Sequence, residues 1–343
     1  MTSQLSRPNN PRYLIRKTLG EGSFGKVFVA TLLERAADNT AAGVERPVAY
    51  KLHRIETEDD RESYNRELEI LRAVAGCPHT LKLIDATHPD EDQTQPYIIT
   101  ELCNGGALID LMEQGCSPDS EIAICNTGLI LLVVRDTALA LECMHNAGYV
   151  HLDVKPDNIF VSLDLPPNSP EARAAKEADW AALYNRSAAD ELTGSPTLKR
   201  LIPKMKFVLG DYGGVERCGG SGSAISTLEY TPPESQRFDR TFEPSWDIWA
   251  LGVTMYMMMY GDLPYAPDAV KRYGIRTLIR SGKIYWPEPT RRGLSSDAPI
   301  PGQLELLRRM LDYDPQKRPT AREVVDTIHT IALDECAHRA RRR

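Results

Sequence analysis

Within the segment His151-Leu152-Asp153-Val154-Lys155-Pro156-Asp157-Asn158, three side chains offer three different chemistries. The Asp153 carboxylate can orient a hydroxyl and accept its proton. The Lys155 ammonium, two residues on, can neutralise a phosphoryl group in transfer. The Asn158 amide oxygen, five residues on from the aspartate, can bind a hard cation. A second carboxylate, Asp211 in Asp211-Tyr212-Gly213, follows the short apolar run Phe207 to Leu209 and can hold another face of that cation. Upstream, Gly20-Glu21-Gly22-Ser23-Phe24-Gly25-Lys26-Val27 lets backbone N–H groups approach phosphates with no side chain in the way. The same spacing occurs in dinucleotide-binding turns, which need a helix directly afterwards. Val27-Phe28-Val29 reads as strand, so that alternative is disfavoured. Val48-Ala49-Tyr50-Lys51 puts a lysine on a strand, and Glu67 in the following helix can orient it toward phosphate oxygens. Taken alone, such a pair is more often a surface contact.

The elements that must position these groups follow from periodicity. Tyr13 to Leu19 and Lys26 to Thr31 flank the glycines as a hairpin, and Val48 to Leu52 is a third strand. Thr57 reads as a helix N-cap followed by Glu58, Asp59 and Asp60, acids that suit the positive end of a helix. Tyr64, Leu68, Leu71 and Ala75 then recur at helical spacing. Leu81 to Ala86 and Tyr97 to Leu102 are two more strands. Beyond Pro118 the pattern turns mainly helical, at about 120–146, 245–260, 268–281, 302–312 and 320–335. Leu165 to Pro203 breaks it, being rich in Pro, Ala, Glu and Asp, with Ser169-Pro170 able to start a short helix.

Composition bounds the function. The 343 residues carry 41 Lys plus Arg against 48 Asp plus Glu, a net charge of -7. That balance argues against sequence-independent binding to nucleic acid or to an anionic membrane. The seven cysteines, at 77, 103, 116, 125, 143, 218 and 336, show no C-x-x-C spacing, so reduced thiols in a cytoplasmic or nuclear protein are expected. The polar start, Met1 to Pro11, does not read as a signal peptide. Ile122 to Val134 is too short to span a bilayer.

In this order, these motifs resemble the eukaryotic-type protein kinases of the serine/threonine type, from about Tyr13 to about Ala332. Thr231-Pro232-Pro233-Glu234, Ser245-Trp246-Asp247-Ile248-Trp249 and Asp314-Pro315-Gln316-Lys317-Arg318-Pro319-Thr320 add to the likeness. The resemblance implies an α+β, bilobal protein kinase fold with a small β-rich N-lobe and a larger, mainly helical C-lobe. The expected boundaries are a tail over 1–11, an N-lobe over 12–103, a C-lobe over 104–335 with an insertion at 165–203, and a basic tail over 336–343. It also implies ATP and Mg²⁺ as cofactors and protein substrates as partners. Gly20, Gly22 and Gly25 would cover the phosphates, and Lys51, held by Glu67, would contact them. Val27 and Ala49 would pack on adenine, Thr100 would lie at the back of that pocket, and Glu101 and Cys103 would present backbone groups to the base. Asp153 would be the catalytic base with Lys155 beside it, and Asn158 and Asp211 would bind the metal. Glu234 and Arg318 would form a buried ion pair, and His151 would pack on Tyr212.

The departures from the family pattern matter too. Leu152 stands where arginine is usual and Tyr212 where phenylalanine is commoner. Ala107 occupies a position at which kinases preferring basic substrates often carry glutamate. His-Leu-Asp is similar to the Wee-like kinases, so a tyrosine or dual-specificity kinase and a nucleotide-binding scaffold are the alternatives. The 165–203 insertion is a candidate site for a regulatory partner, through Trp180, Leu183 and Tyr184.

Overall fold

The computed structural model describes residues 11–22, 25–33, 45–87, 96–114, 127–163, 204–222, 226–287 and 301–341. The insertion at 165–203, the loop at 34–44, the helix start at 120–126 and the ends at 1–10 and 342–343 lie outside these residues. Two compact units emerge: Met1–Gly76 with Thr80–Cys103, and Cys77–His79 with Asn104–Arg343.

In the first unit, β1 (Tyr13–Gly22), β2 (Gly25–Leu33), β3 (Glu45–His53), β4 (Leu83–Ala86) and β5 (Tyr97–Glu101) form one antiparallel sheet of order β1-β2-β3-β5-β4. Successive side chains on a strand point to opposite faces. One face carries the apolar cluster of Tyr13, Phe28, Ala30, Leu32, Val48, Tyr50, Leu52, Tyr97 and Ile99. Lys51 is paired across the sheet with Val27 and Ile98, and Ala49 with Val29 and Thr100. Val27, Ala49, Lys51 and Thr100 therefore share the other face. At Gly25 (φ 148°) a Cβ would collide with the Leu52 carbonyl oxygen, so the close approach of β3 itself demands glycine there.

Helix α1 (Glu58–Ala73) starts as its sequence predicts. Thr57 accepts from the Asp60 N–H, and the Asp60 carboxylate accepts from the Thr57 N–H. Tyr64, Glu67, Leu68, Ile70 and Leu71 are its buried face. Ala75 falls past the helix end and is exposed, and Val74 is buried instead.

The second unit contains α2 (Leu108–Gln114), α3 (Thr127–Asn146), β6 (Tyr149–Val150), β7 (Ile159–Leu163), β8 (Met205–Leu209), β9 (Glu216–Arg217), α4 (Pro244–Tyr260), α5 (Pro267–Tyr273), α6 (Ile275–Ser281), α7 (Pro301–Met310) and α8 (Ala321–Arg341). Strands β6 and β9 pair, as do β7 and β8. Helix α4 is buried almost all round, as a mainly apolar helix must be, and takes Asp247 and Thr254 into the interior with it. The single helix expected at 268–281 is two, because Gly274 (φ 75°) interrupts it. Sequence periodicity misses α2, whose seven residues are too few to show a helical repeat. No helix among the described residues is long and apolar enough to cross a membrane.

One expectation is overturned. Cys77 and Cys143 form a disulfide, with Cα atoms 5.8 Å apart. The His79 carbonyl accepts from the Leu209 N–H at 2.8 Å, and the His79 ring lies 3.0 Å from the Phe207 carbonyl oxygen, so residues 77–79 pack with α3 and β8. Spacing rules see only neighbours in sequence, and this pair is 66 residues apart. Cys103 and Cys218 are free thiols.

Candidate active site

In the first unit, Lys51 Nζ lies 2.7 Å from both carboxylate oxygens of Glu67. The helical spacing that buries Tyr64 and Leu68 also turns Glu67 inward, so the glutamate is nearly buried and the pair is no loose surface contact. Thr100 is buried on β5. Glu101 is tied to Lys82 by backbone and side chain. Burial, then the Glu101 charge, pushes the Cys103 thiol up to about 12, so no reactive thiolate forms there.

His53, two residues beyond Lys51, is 4% exposed, edge-on to the Tyr64 ring at 4.9 Å and 3.8 Å from Glu67. Burial and then the Lys51 charge hold it well below the ordinary histidine value of 6.5. The unfolded chain therefore takes up a proton near pH 6.5 while the folded chain does not, and stability falls as pH drops through that window. We expect the unfolding free energy to fall between about pH 7 and pH 5, with His53→Leu shallowing the slope by up to about 1.4 kcal/mol per pH unit. Denaturant unfolding across that range measures it, and equal slopes for both proteins would refute the assignment.

In the second unit, the short β6 and β7 frame the loop His151–Asn158. Asp153 Oδ1 accepts from the Thr227 N–H and hydroxyl, both at 2.8 Å, and Oδ2 accepts from Asn158 at 2.9 Å and Lys155 at 2.9 Å. Lys155 also donates to the Thr227 hydroxyl at 2.7 Å. Burial opposes ionisation of Asp153, but hydrogen bonds from Lys155 and Thr227 outweigh it and hold the carboxyl below its usual range. Such a carboxylate is a firm orienting acceptor and only a late proton acceptor.

The loop backbone is anchored from beneath. Asp247, fully buried on α4, accepts from the N–H groups of His151 and Leu152, each at 2.8 Å, and lies 2.8 Å from His145 Nε2. These bonds hold Leu152 at φ 67°, a conformation leucine adopts only under constraint. Motif and spacing do not reveal this role of Asp247. The one signal for it in the sequence is a lone acid inside the apolar run Trp246-Asp247-Ile248-Trp249.

His151 Nδ1 accepts from the Asp153 N–H at 3.3 Å, which leaves Nε2 to donate to the Gly210 carbonyl at 3.1 Å. Its ring meets Tyr212 edge-on at 5.9 Å, the packing role expected of it. Asp211 takes φ 61°, is exposed, and follows Gly210, whose N–H bonds the Asn158 carbonyl at 3.0 Å. The structure thus gathers Asp153, Lys155, Asn158, Thr227 and Asp211 around one loop.

This constellation also has a sequence counterpart. The Protein kinase domain family matches residues 13–329. The chain belongs to the protein kinase family. It is 24% identical to calcium-dependent protein kinase 19 of Arabidopsis thaliana over 92% of this chain and 47% of that protein. It is 26% identical to calcium-dependent protein kinase 2 of Oryza sativa subsp. japonica over 92% of this chain and 50% of that protein. The kinase chain thus spans about half the length of these curated relatives. Within this protein kinase family member, Leu152 joins an apolar cluster with Val150, Phe242 and Trp246, against which Cys218 packs. The segment after Asp211 is fastened over the cluster: Glu216 and Arg217 pair with β6, the Gly219 N–H bonds the Phe242 carbonyl, and the Phe242 N–H bonds the Gly220 carbonyl. A Cβ on Gly220 would meet the Arg217 oxygen at 2.9 Å and the Phe242 ring at 3.4 Å.

Proposed function

We propose that this kinase transfers the γ-phosphoryl group of ATP to serine or threonine hydroxyls of protein substrates. The observation that carries the reading is Thr227 bridging Asp153 and Lys155, with Asn158 bonded to the same carboxylate. A hydroxyl between that carboxylate and that ammonium is the arrangement an attacking alcohol needs. Asp153 orients the acceptor and takes its proton late, and Lys155 offsets charge on the phosphoryl oxygens, the main demand of a loose transition state. Lys51, fixed by Glu67, binds the donor's phosphates. The open space around Gly20 leaves its backbone approachable, and Val27, Ala49 and Thr100 share the sheet face assigned to adenine, with Glu101 and Cys103 at its end.

The donor set also suits Mg²⁺. It is all oxygen: the exposed Asp211 carboxylate and the Asn158 amide oxygen, whose nitrogen is already committed to Asp153. Among the described residues no cluster of three or more His, Cys, Asp or Glu is placed to hold a metal. Two protein ligands match an ion that takes its remaining oxygens from phosphates and water. Asn158 and Asp211 would hold the ion, and it would supply charge neutralisation on the phosphates.

Phosphoamino-acid analysis of acceptor libraries tests the acceptor class. Phosphoserine and phosphothreonine are expected, and predominant phosphotyrosine would replace this reading with the tyrosine-kinase one.

A regulatory expectation follows from Leu152. An arginine at this position would be a buried cation awaiting a phosphate on the segment after Asp211. Leu152 presents no such cation, and the Phe242 bonds already hold the segment. Phosphatase-treated protein, and a variant with Ser221 and Ser226 changed to alanine, should keep turnover within about tenfold, or about 1.4 kcal/mol of barrier, of the starting enzyme. Mass spectrometry must show the segment bare, and a larger loss in both would assign phosphate an ordering role. Ser223 lies outside the described residues.

A further inference from the structure

A marked charge asymmetry on this acidic chain lies away from the residues above. Between Asp268 and Glu288 the sequence has five cations, Lys271, Arg272, Arg276, Arg280 and Lys283, and no acid. All five are exposed on α5, α6 and the stretch that follows. None forms an ion pair with a carboxylate among the described residues. Arg272 instead lies over the ring of Tyr273, itself 54% exposed.

Stability does not account for the whole set. Arg272 and Arg280 sit in last helical turns, where the helix dipole favours a cation. Arg276 is in the first turn of α6, where the dipole disfavours it, and Arg280 lies four residues on, a like-charge spacing that also disfavours the helix. With no acid to offset it, this arrangement is better explained by something outside the chain.

The patch is rigidly mounted. Ile279 of α6 is fully buried, the Tyr285 N–H bonds the Pro264 carbonyl at 3.0 Å, and the Tyr285 carbonyl accepts from Tyr256 of α4. Its position matters most. Helix α6 packs against Leu228–Tyr230 and Pro233–Gln236, directly after Thr227, the residue bonded to Asp153. A protein offering its hydroxyl at Asp153 would have this face within reach of its flanking chain.

We propose that the basic face of α5 and α6, carried by Lys271, Arg272, Arg276, Arg280 and Lys283, docks an Asp/Glu-rich segment of the protein substrate flanking its phosphoacceptor. The inference rests on the phosphotransfer reading, and its test separates the two. A fluorescein-labelled octaglutamate peptide without Ser, Thr or Tyr is titrated into wild type, into Arg276→Glu/Arg280→Glu and into Lys271→Glu/Lys283→Glu, at low and at physiological salt, alongside phosphatidylserine vesicles. Turnover is measured on acceptor peptides carrying either a hexaglutamate or a hexaglutamine flank. Saturable, salt-weakened binding of octaglutamate is expected, at least about tenfold weaker in both variants. The glutamate flank should lower KM in wild type and not in the variants, with kcat on the glutamine-flanked peptide and the melting temperature unchanged. Normal turnover without octaglutamate binding, or binding that both folded variants retain, overturns the docking site and leaves phosphotransfer standing. Vesicle binding in place of peptide binding overturns it in favour of a lipid surface. Octaglutamate binding lost in both variants, with no transfer to any acceptor, keeps the docking face and overturns the phosphotransfer reading instead.

Discussion

Asp153→Asn is expected to lower phosphotransfer by roughly 10²–10³-fold while nucleotide binding survives. The carboxylate holds four hydrogen-bond donors, from Thr227, Lys155 and Asn158, and an asparagine has one acceptor oxygen where the aspartate has two. The substitution removes the negative charge that aligns an acceptor hydroxyl and balances Lys155. Lys51, proposed to contact the donor, and Glu67, which holds it, belong to the other unit and keep their own pair. Asp211→Ala should give a comparable loss, with an altered dependence on Mg²⁺ concentration, because it removes an oxygen ligand. Single-turnover assays, with nucleotide binding followed by thermal shift, measure both. Wild-type protein that binds ATP but transfers phosphate to no acceptor would establish the scaffold alternative, and full turnover by Asp153→Asn would remove Asp153 from the mechanism.

Arg318→Ala should destabilise the second unit by about 3–5 kcal/mol, a fall in melting temperature of roughly 6–20 °C. The Arg318 side chain is fully buried and forks onto Glu234, with contacts of 2.6 and 2.9 Å. It also donates to the carbonyls of Asp312 and Ser245, and its guanidinium lies over the Trp249 ring at 4.8 Å. Removing it strands the largely buried Glu234 carboxylate and takes the donor from two carbonyls. Glu234 closes the segment that begins at Asp211, so activity should fall as well. Arg318→Lys should rescue little, because an ammonium cannot reproduce the two-pronged contact. Arg322→Ala is the control: Arg322 is 64% exposed, pairs loosely with Glu142 and Asp326, and should shift stability by no more than about 0.5 kcal/mol. Equal effects at 318 and 322 would contradict the burial argument.

Much of the chemistry is legible in the order of residues alone. Asp153, Lys155 and Asn158 fall within one turn-forming loop, so their spacing restricts how far apart they can be. Strand alternation places Ala49 and Lys51 on one face, and helical spacing turns Glu67 to the buried side of α1 with Tyr64 and Leu68. The Thr57 cap is readable because a capping box is complete within four consecutive residues. These features are local, and local sterics and hydrogen bonding determine them.

Tertiary structure alone decides the rest. The Cys77–Cys143 disulfide depends on residues 77–79 packing with α3 and β8, a contact no spacing rule encodes. Asp247 supports Leu152 across 95 residues of sequence, and Phe242 fastens Gly219 and Gly220 beside an apolar cluster that Leu152 completes. As a letter in the chain, Leu152 says only that a cation is missing. What fills that place, and why the loop nevertheless keeps a left-handed leucine, is set by partners distant in sequence. The basic face of α5 and α6 follows the same division: the run of cations is local sequence, but its proximity to the segment after Thr227 arises from packing. Backbone preference and hydrophobic period act over a few residues, whereas a functional site is built from desolvated groups that only the collapsed chain brings together.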